Sequence, residues 1–505
     1  MSELPRVSLG SVGISSRAVS EFLDYIENCG AEMHGLMIMR HGKVAAEGWW
    51  APYSKELKHN SWSLTKSYVA TAVGVACDQG LLQLEDKITK YFAEYLPEHP
   101  DEKLQRMTIQ HLLSMSCGME PNVLSWEANW IRRFFSMPVV HEPGSVFFYN
   151  NEASSMLAVL IKQVTGKDFL EYLREHVLDK IGIAADDVSC ITLKDGNLFG
   201  AAGIFSTTEA NARLGQLYLQ NGKWDGQQII SETWVQMASS KQVEVSFPKM
   251  DEMKMPRRKL RLEHAQAGYG FQMWMCGYPG AYRFDGAMGQ YVVILPSLDM
   301  LVAVNESSTA ALDGPICVLN AIFDYLVPGV DSGEPADEKL EACVQNRLRK
   351  LSMPRLQGVR STSCCASVNK AVYKLAADAN ISLVPDIFEH LIGVPAAIET
   401  VMLSFSDIEC LLTYTDSMGK HELHVGTDGI ARLNFMKFEM PIHGYAAVQG
   451  VWIAENQFVI NLCYPETCFS VRLEFFFDAQ ASLTRTENLT FDGSPVKSRT
   501  VQLSI

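Results

Sequence analysis

A serine and a lysine three residues apart, Ser63 and Lys66 in "SWSLTKSYVATAVGVACDQG", are enough to make a nucleophile and its base. On a helix, residues at this spacing share a face, so the hydroxyl and the amine come within hydrogen-bond reach. A serine hydroxyl attacks at neutral pH only when a base takes its proton. A lysine is that base only when burial or nearby cations lower its pKa from about 10.4. The run from Lys66 to Cys77 is mostly apolar and stops at Gly80, so it reads as a largely buried helix that supplies such burial. Spacing alone is weak, because Ser-x-x-Lys also begins at Ser246, Ser367, Ser417 and Ser494. A helix-start serine followed by a lysine that snorkels to solvent is the ordinary alternative. Ser63 differs in standing between a hairpin and a buried helix, whereas the other four lie in polar, turn-like surroundings.

A second polar constellation is "PGSVFFYNN" at 143–151, which ends in the one Tyr-x-Asn of the sequence. Tyr149 has the chemistry to share a proton with Lys66, and the amide of Asn151 can hold Lys66 or a substrate carbonyl. An aromatic packing residue and a helix N-cap asparagine account for the same residues equally well.

The elements that must position these groups follow from periodicity and turn residues. Residues 33–50 read as two strands around "RHGK". Helices are expected at 108–115, 152–164, 168–177, 208–220 and 310–326, and strands at 269–276, 290–295 and 299–305. Strands at both ends with helices between them imply one sheet assembled from both ends of a domain, with a helical region inserted. That domain is expected over 1–328. A Pro/Gly/Asp-rich linker with a short charged helix follows over 329–365. From 366 to 505, short alternating runs such as "ARLNFMKF", "FVINLCY" and "FSVRLEFFF" predict an antiparallel β domain, either sheet or barrel.

Composition narrows the function classes. The chain has 505 residues, 47% hydrophobic and 20% charged, enough for a sizeable core, and a net charge of −15. That balance argues against nucleic-acid and anionic-membrane partners, which need clustered basic residues. The one basic cluster, Lys254, Arg257, Arg258, Lys259 and Arg261, reads as a solvated loop. The N-terminus lacks a basic start followed by an apolar stretch, and no run has membrane-spanning length, so a cytoplasmic location is expected. Twelve cysteines without a CxxC pair favour reduced thiols over disulfides or zinc. His421 and His424 are three apart in a strand-like context, a poor geometry for a metal. His111 and His141 read as structural. Trp49, Trp50, Trp126 and Trp130 are candidates for an acyl pocket or for ordinary packing. No Gly-x-Ser-x-Gly, phosphate-binding Gly loop or HExxH occurs.

The order of "SWSLTK", "TIQHLLSMSCGM", "PGSVFFYNNEASSMLAVLI", "AAGIFSTTEANARLGQLYLQNGKWDGQQII", "GYGFQMW" and "DGAMGQYVVILP" resembles the serine hydrolases that share the fold of class C β-lactamases and penicillin-binding proteins. Esterases and D-aminopeptidases belong to the same superfamily. The resemblance covers residues 15–328 and implies an α/β (α+β) domain, an antiparallel sheet with flanking helices and a helical subdomain. It implies that Ser63 is acylated, that Lys66 and Tyr149 relay protons, and that Asn151 contacts Lys66 and the substrate amide. The family's third motif, a Lys or His, a small residue and Gly, falls on Phe284, Asp285 and Gly286. The N–H groups of Ser63 and Ala287 would then form the oxyanion hole. Phe284 carries no charge and Asp285 repels an anion, so an ester or amide without a nearby carboxylate is the expected substrate. The expectation is a serine hydrolase without cofactor or metal, acting on a small-molecule ester, amide or short peptide. The alternatives are a D-amino-acid peptidase or β-lactamase of the same fold, and a binding protein that kept the fold without catalysis. The C-terminal region resembles the small β-barrel modules appended to some of these hydrolases, and nothing in it looks catalytic.

Overall fold

Six strands drawn from the two ends of the first 351 residues make one antiparallel sheet, in the order Lys43–Trp49, Met33–Arg40, Met300–Glu306, Gln290–Leu295, Tyr282–Gly286, Trp274–Met275. The computed structural model describes residues 3–120, 127–245, 263–264, 266–308, 314–376, 378–388, 397–436, 442–490 and 496–505. The expected hairpin forms, with His41 at φ 53° and Gly42 at φ 69°. Two successive left-handed residues are what a two-residue hairpin turn requires. Met33–Arg40 is buried along its whole length, as befits a central strand covered on both faces.

Helix Thr208–Leu219, capped by Thr207, lies against this sheet. The approach is close enough that a Cβ on Gly215 would fall 2.5 Å from Val292 Cγ1. The inserted helical region centres on Thr65–Asp78, which is buried on every side from Thr65 to Ala76. Around it pack Asn151–Thr165, Phe169–Leu173 and Glu232–Ala238. Gly74 is required there, since a Cβ would sit 2.4 Å from the Trp234 ring.

The chain divides into two units, Met1–Trp49 with Lys55–Leu351, and Trp50–Ser54 with Ser352–Ile505. The first unit thus ends at Leu351 rather than 328. The charged helix expected in the linker, Glu338–Leu348, belongs to it, because its buried Val344 and Leu348 give it an apolar side and Gln345 Nε2 donates to the Ala45 carbonyl at 3.1 Å. Gly48 leaves room for the end of this helix, a Cβ there falling 3.0 Å from the Leu348 carbonyl oxygen. Of the strand expected at 269–276, only Trp274–Met275 pairs as strand.

The second unit is the expected antiparallel β domain, closed into a barrel. Its strands run Gly419–Gly426, Glu409–Asp416, Thr400–Phe405, Val372–Leu375, Arg499–Ser504, Ser482–Glu487, Ser470–Phe476, Gln457–Cys463 and Tyr445–Ala454. A parallel contact between Gly426 and Gln449 shuts the ring. Arg432–Phe435 adds to Tyr445–Ala454 outside it. Burial alternates along Ser470–Phe476, so Val471, Leu473 and Phe475 fill the interior. No helix among the described residues is long and apolar enough to cross a membrane.

Candidate active site

The turn that carries Ser63 is gripped before it begins. His59–Asn60 pairs with Phe205–Ser206, Ser61 N–H donates to the Ile204 carbonyl at 2.9 Å, and Thr65 Oγ1 accepts the Ile204 N–H at 2.9 Å. Trp62 is held at φ 47°, its N–H donating to Asn60 Oδ1 at 3.0 Å. A bulky residue in the left-handed region is strained, and such strain persists only where neighbouring contacts over-determine it. The consequence is a short 3₁₀ turn, Trp62–Leu64, that presents a half-buried Ser63 and leads into the helix carrying Lys66.

Lys66 is 1% exposed. Its Nζ lies 3.0 Å from Ser63 Oγ, 2.9 Å from Asn151 Oδ1 and 2.7 Å from the Ala201 carbonyl oxygen. Burial pushes its pKa down to about 7, with the more distant charges of Glu152 and Asp285 working against the shift. A neutral amine has two hydrogens and one lone pair. The two oxygens that only accept, on Asn151 and Ala201, use the hydrogens and leave the lone pair for the proton of Ser63.

Tyr149 places its ring 4.9 Å below Lys66 Nζ and stacks on Trp274 at 5.8 Å, with Tyr269 edge-on at 6.3 Å. Burial and the charge of Asp285 push its phenol above the usual range, and a hydrogen bond with the Ser63 hydroxyl opposes them. Asn150 caps helix Asn151–Thr165 by accepting the Ala153 N–H at 3.0 Å, which frees the Asn151 side chain for Lys66. The two asparagines therefore divide the capping and lysine-holding roles.

Third-motif residues lie on strand Tyr282–Gly286. Trp274–Met275 pairs with Tyr282 and Arg283, so, among the described residues, 284–286 have a neighbouring strand on one side alone. On the other side the turn of Ser63 closes in, and a Cβ on Gly286 would fall 2.2 Å from the Ser61 carbonyl oxygen. Ala287 opens the turn that follows, where Met288 and Gly289 have φ 64° and 88°. Among the described residues no backbone carbonyl takes the N–H of Ser63 or Ala287. Phe284 is fully buried and meets Tyr218 edge-on at 5.3 Å, so its side chain faces helix Thr208–Leu219. Asp285 lies on the opposite face, bound through Oδ2 to Arg283 Nε at 2.6 Å.

Two contributors escaped the sequence reading. The Ala201 carbonyl has no side-chain signature, although it lies in a stretch that carried the resemblance. Gln272 has φ 59°, and its Nε2 donates to the carbonyls of Leu112 and Leu113 at 3.0 and 2.9 Å. Its Oε1 accepts from Ser154 Oγ at 2.5 Å and its carbonyl from Ser67 Oγ at 3.1 Å, which ties three helices together around the site.

Other candidates are structural. Trp49 Nε1 donates to Thr208 Oγ1 at 3.2 Å, Trp130 Nε1 to Asp195 at 2.7 Å, and Trp50 belongs to the second unit. Thr108 and His111 cap each other, and His141 stacks on Phe148 at 5.1 Å. His421 and His424 pair separately with Asp416 and Glu409 at 2.9 and 2.7 Å. Among the described residues no group of His, Cys, Asp or Glu is arranged to hold a metal. Trp126, Ser246, Ser494 and the basic cluster at 254–261 lie outside the described residues.

The chain is similar to the 6-aminohexanoate-dimer hydrolase of Paenarthrobacter ureafaciens, 24% identical over 222 residues covering 40% of this chain and 55% of that protein. It is similar to penicillin-binding protein 4* of Bacillus subtilis, 26% identical over 147 residues, 26% of this chain and 31% of that one. The matched stretches thus span about half or less of these curated relatives. A solved structure, the putative 6-aminohexanoate-dimer hydrolase from Bacillus anthracis, aligns over 64% of this chain and 87% of its own with a TM-score of 0.47 and 19% identity. The Beta-lactamase family model matches residues 24–312, more than half of the sequence, and the chain belongs to that family.

Proposed function

We propose that this protein is a serine hydrolase that cleaves an ester or amide through an acyl-enzyme on Ser63. The observation that carries the reading is the environment of Lys66, a buried amine 3.0 Å from Ser63 Oγ whose hydrogens are occupied by Asn151 and Ala201. Ser63 Oγ attacks the carbonyl carbon while its proton passes to the lone pair of Lys66. The tetrahedral oxyanion rests on the N–H groups of Ser63 and Ala287. Lys66 and Tyr149 return the proton to the leaving group as the bond to it breaks. Water then attacks the acyl carbon as the same relay takes its proton, and the relay returns that proton to Ser63 Oγ as the bond from Oγ to the acyl carbon breaks and the acid leaves. Burial, reinforced by the charge of Asp285, keeps the Tyr149 phenol protonated, so Lys66 is the base and Tyr149 an O–H that passes a proton on. Membership of a family that includes hydrolases supports the reaction class.

The test is intact-mass spectrometry of wild type and Ser63→Ala after brief exposure to a p-nitrophenyl ester, a penicillin and a fluorophosphonate. An adduct on wild type alone is expected, and the reagent that leaves it separates an esterase from a penicillin-recognising enzyme. No adduct from any of the three replaces this reading by a non-catalytic binding protein. Ester hydrolysis by Ser63→Ala equal to wild type removes Ser63 as the nucleophile.

A further inference from the structure

The buried ion pair on the third-motif strand shows only one of its charges to the site. Arg283 is 3% exposed and fully engaged, Nε donating to Asp285 Oδ2 and Nη1 to the carbonyls of His264 and Met275 at 2.8 and 3.4 Å. Its guanidinium also lies 5.5 Å from the centre of the Trp274 ring and 5.9 Å from that of Tyr291. Asp285 stands in front of it, with 22% of its side chain exposed and one carboxylate oxygen beyond the bond to Arg283. Its charge reaches Lys66 and Tyr149. Asp285 also occupies the stretch of strand that, among the described residues, pairs only with Gln290–Leu295 and is bordered on its other side by the turn of Ser63, two residues before Ala287. Two residues of extended chain span ~6–7 Å. Trp274 stacks on Tyr149 at 5.8 Å and lies 5.5 Å from the Arg283 guanidinium, so the pair borders the site beside Tyr149 with Asp285 as its more exposed, negative end.

We propose that Asp285 is the specificity-determining residue, selecting esters or amides that carry an ammonium group ~6–7 Å from the scissile carbonyl and turning away those with an anion there. The inference rests on the hydrolase reading above and names its substrate class. A carboxylate-bearing acyl group meets a like charge that Arg283, locked behind Asp285, cannot offset. An ammonium at that distance gains a partner without displacing one, because the free oxygen of Asp285 receives it while Oδ2 stays on Arg283.

The test uses three p-nitrophenyl esters of equal length with the full-length protein at low salt: 5-(trimethylammonio)pentanoate, neutral 6,6-dimethylheptanoate and 5-sulfopentanoate. In wild type, kcat/KM is expected to fall at least about tenfold from the cationic to the neutral ester and again to the anionic one, as for a charge met at short range in partly desolvated surroundings. In Asp285→Asn the cationic-to-anionic ratio is expected to contract by at least about tenfold. The wild-type series requires no variant, so it decides the matter even if Asp285→Asn does not fold. Equal turnover of the three esters by wild type, or an unchanged ratio in a folded Asp285→Asn, overturns the inference while the hydrolase reading stands. No turnover of any ester together with no Ser63 adduct removes the hydrolase reading and this inference with it.

Discussion

Lys66 in the first unit and Arg485 in the barrel are both almost wholly buried, at 1% and 2% exposure, and they are held in opposite ways. Arg485 donates to the carbonyls of Ser382 and Val384 at 2.6 and 2.7 Å, and pairs with Glu487 at 2.7 Å and Asp386 at 3.1 Å. A guanidinium cannot shed its charge, so a site that buries one must supply carboxylates and carbonyls to match it. Lys66 has two amide oxygens and a hydroxyl, and among the described residues no carboxylate bonds to it. An amine in that position gives up its proton instead. The same burial makes Arg485 a cross-link and gives Lys66 the lowered pKa that the proposed mechanism asks of its base.

Replacing each cation by methionine is the strongest way to break the comparison. Lys66→Met is expected to lower kcat/KM on an activated ester by about 10²–10⁴-fold. Its loss of stability should be smaller than that of Arg485→Met, because a poorly solvated amine is removed along with the donor to Asn151 and Ala201. Arg485→Met acts on stability instead, leaving Glu487 without its cation and Asp386 held by Arg499 alone, at a cost of about 3–5 kcal/mol in urea unfolding. If both variants lose stability alike, the distinction between the two cations is lost.

Smaller effects sharpen it. Gly286→Ala drives a methyl into the Ser61 carbonyl and displaces the nucleophile turn, so kcat is expected to fall about 10²-fold, as for misplacement of a reacting group by ~1 Å. Below pH 7 protonated Lys66 cannot accept from Ser63, so kcat/KM should fall tenfold per unit below an inflection at about 7 and level off above it. The stability sign follows from the same shift. Unfolded Lys66 titrates at its ordinary 10.5 and folded Lys66 at about 7, so the unfolded chain binds the extra proton between those values. This group's contribution to stability therefore rises with pH across that window, and Lys66→Met should flatten the slope. Ser154→Ala leaves Gln272 Oε1 without its donor and is expected to cost about 1–3 kcal/mol, measured by thermal unfolding.

Where structure followed from neighbours in the chain, it could be read directly. The turn at "RHGK" forms because His41 and Gly42 take the left-handed region. Helices 152–164 and 208–220 begin where Asn150 and Thr207 cap them. The strand expected at 269–276 is mostly not one, because Gln272 turns its N–H and its amide toward the carbonyls of Leu112 and Leu113. No pattern in "YGFQMWMC" reveals partners 159 and 160 residues away. The third motif shows the same division. Position in the motif pointed to Phe284 as the residue at the charged place, yet strand alternation sends Phe284 to Tyr218 and Asp285 to the opposite face.

By itself the sequence determined which groups are available: a serine and a lysine one helical turn apart, a tyrosine and an asparagine at the start of a capped helix, and a closing strand with a phenylalanine at the cation's place and a carboxylate after it. Spacing and capping act over a few residues, so composition and order suffice to reveal them. Only the tertiary structure decided what Lys66 is. Its protonation depends on the oxygens and apolar walls around it, and those arrive from Asn151 and Ala201, 85 and 135 residues away. Desolvation belongs to the surroundings of a group, and the surroundings exist only once the chain has folded.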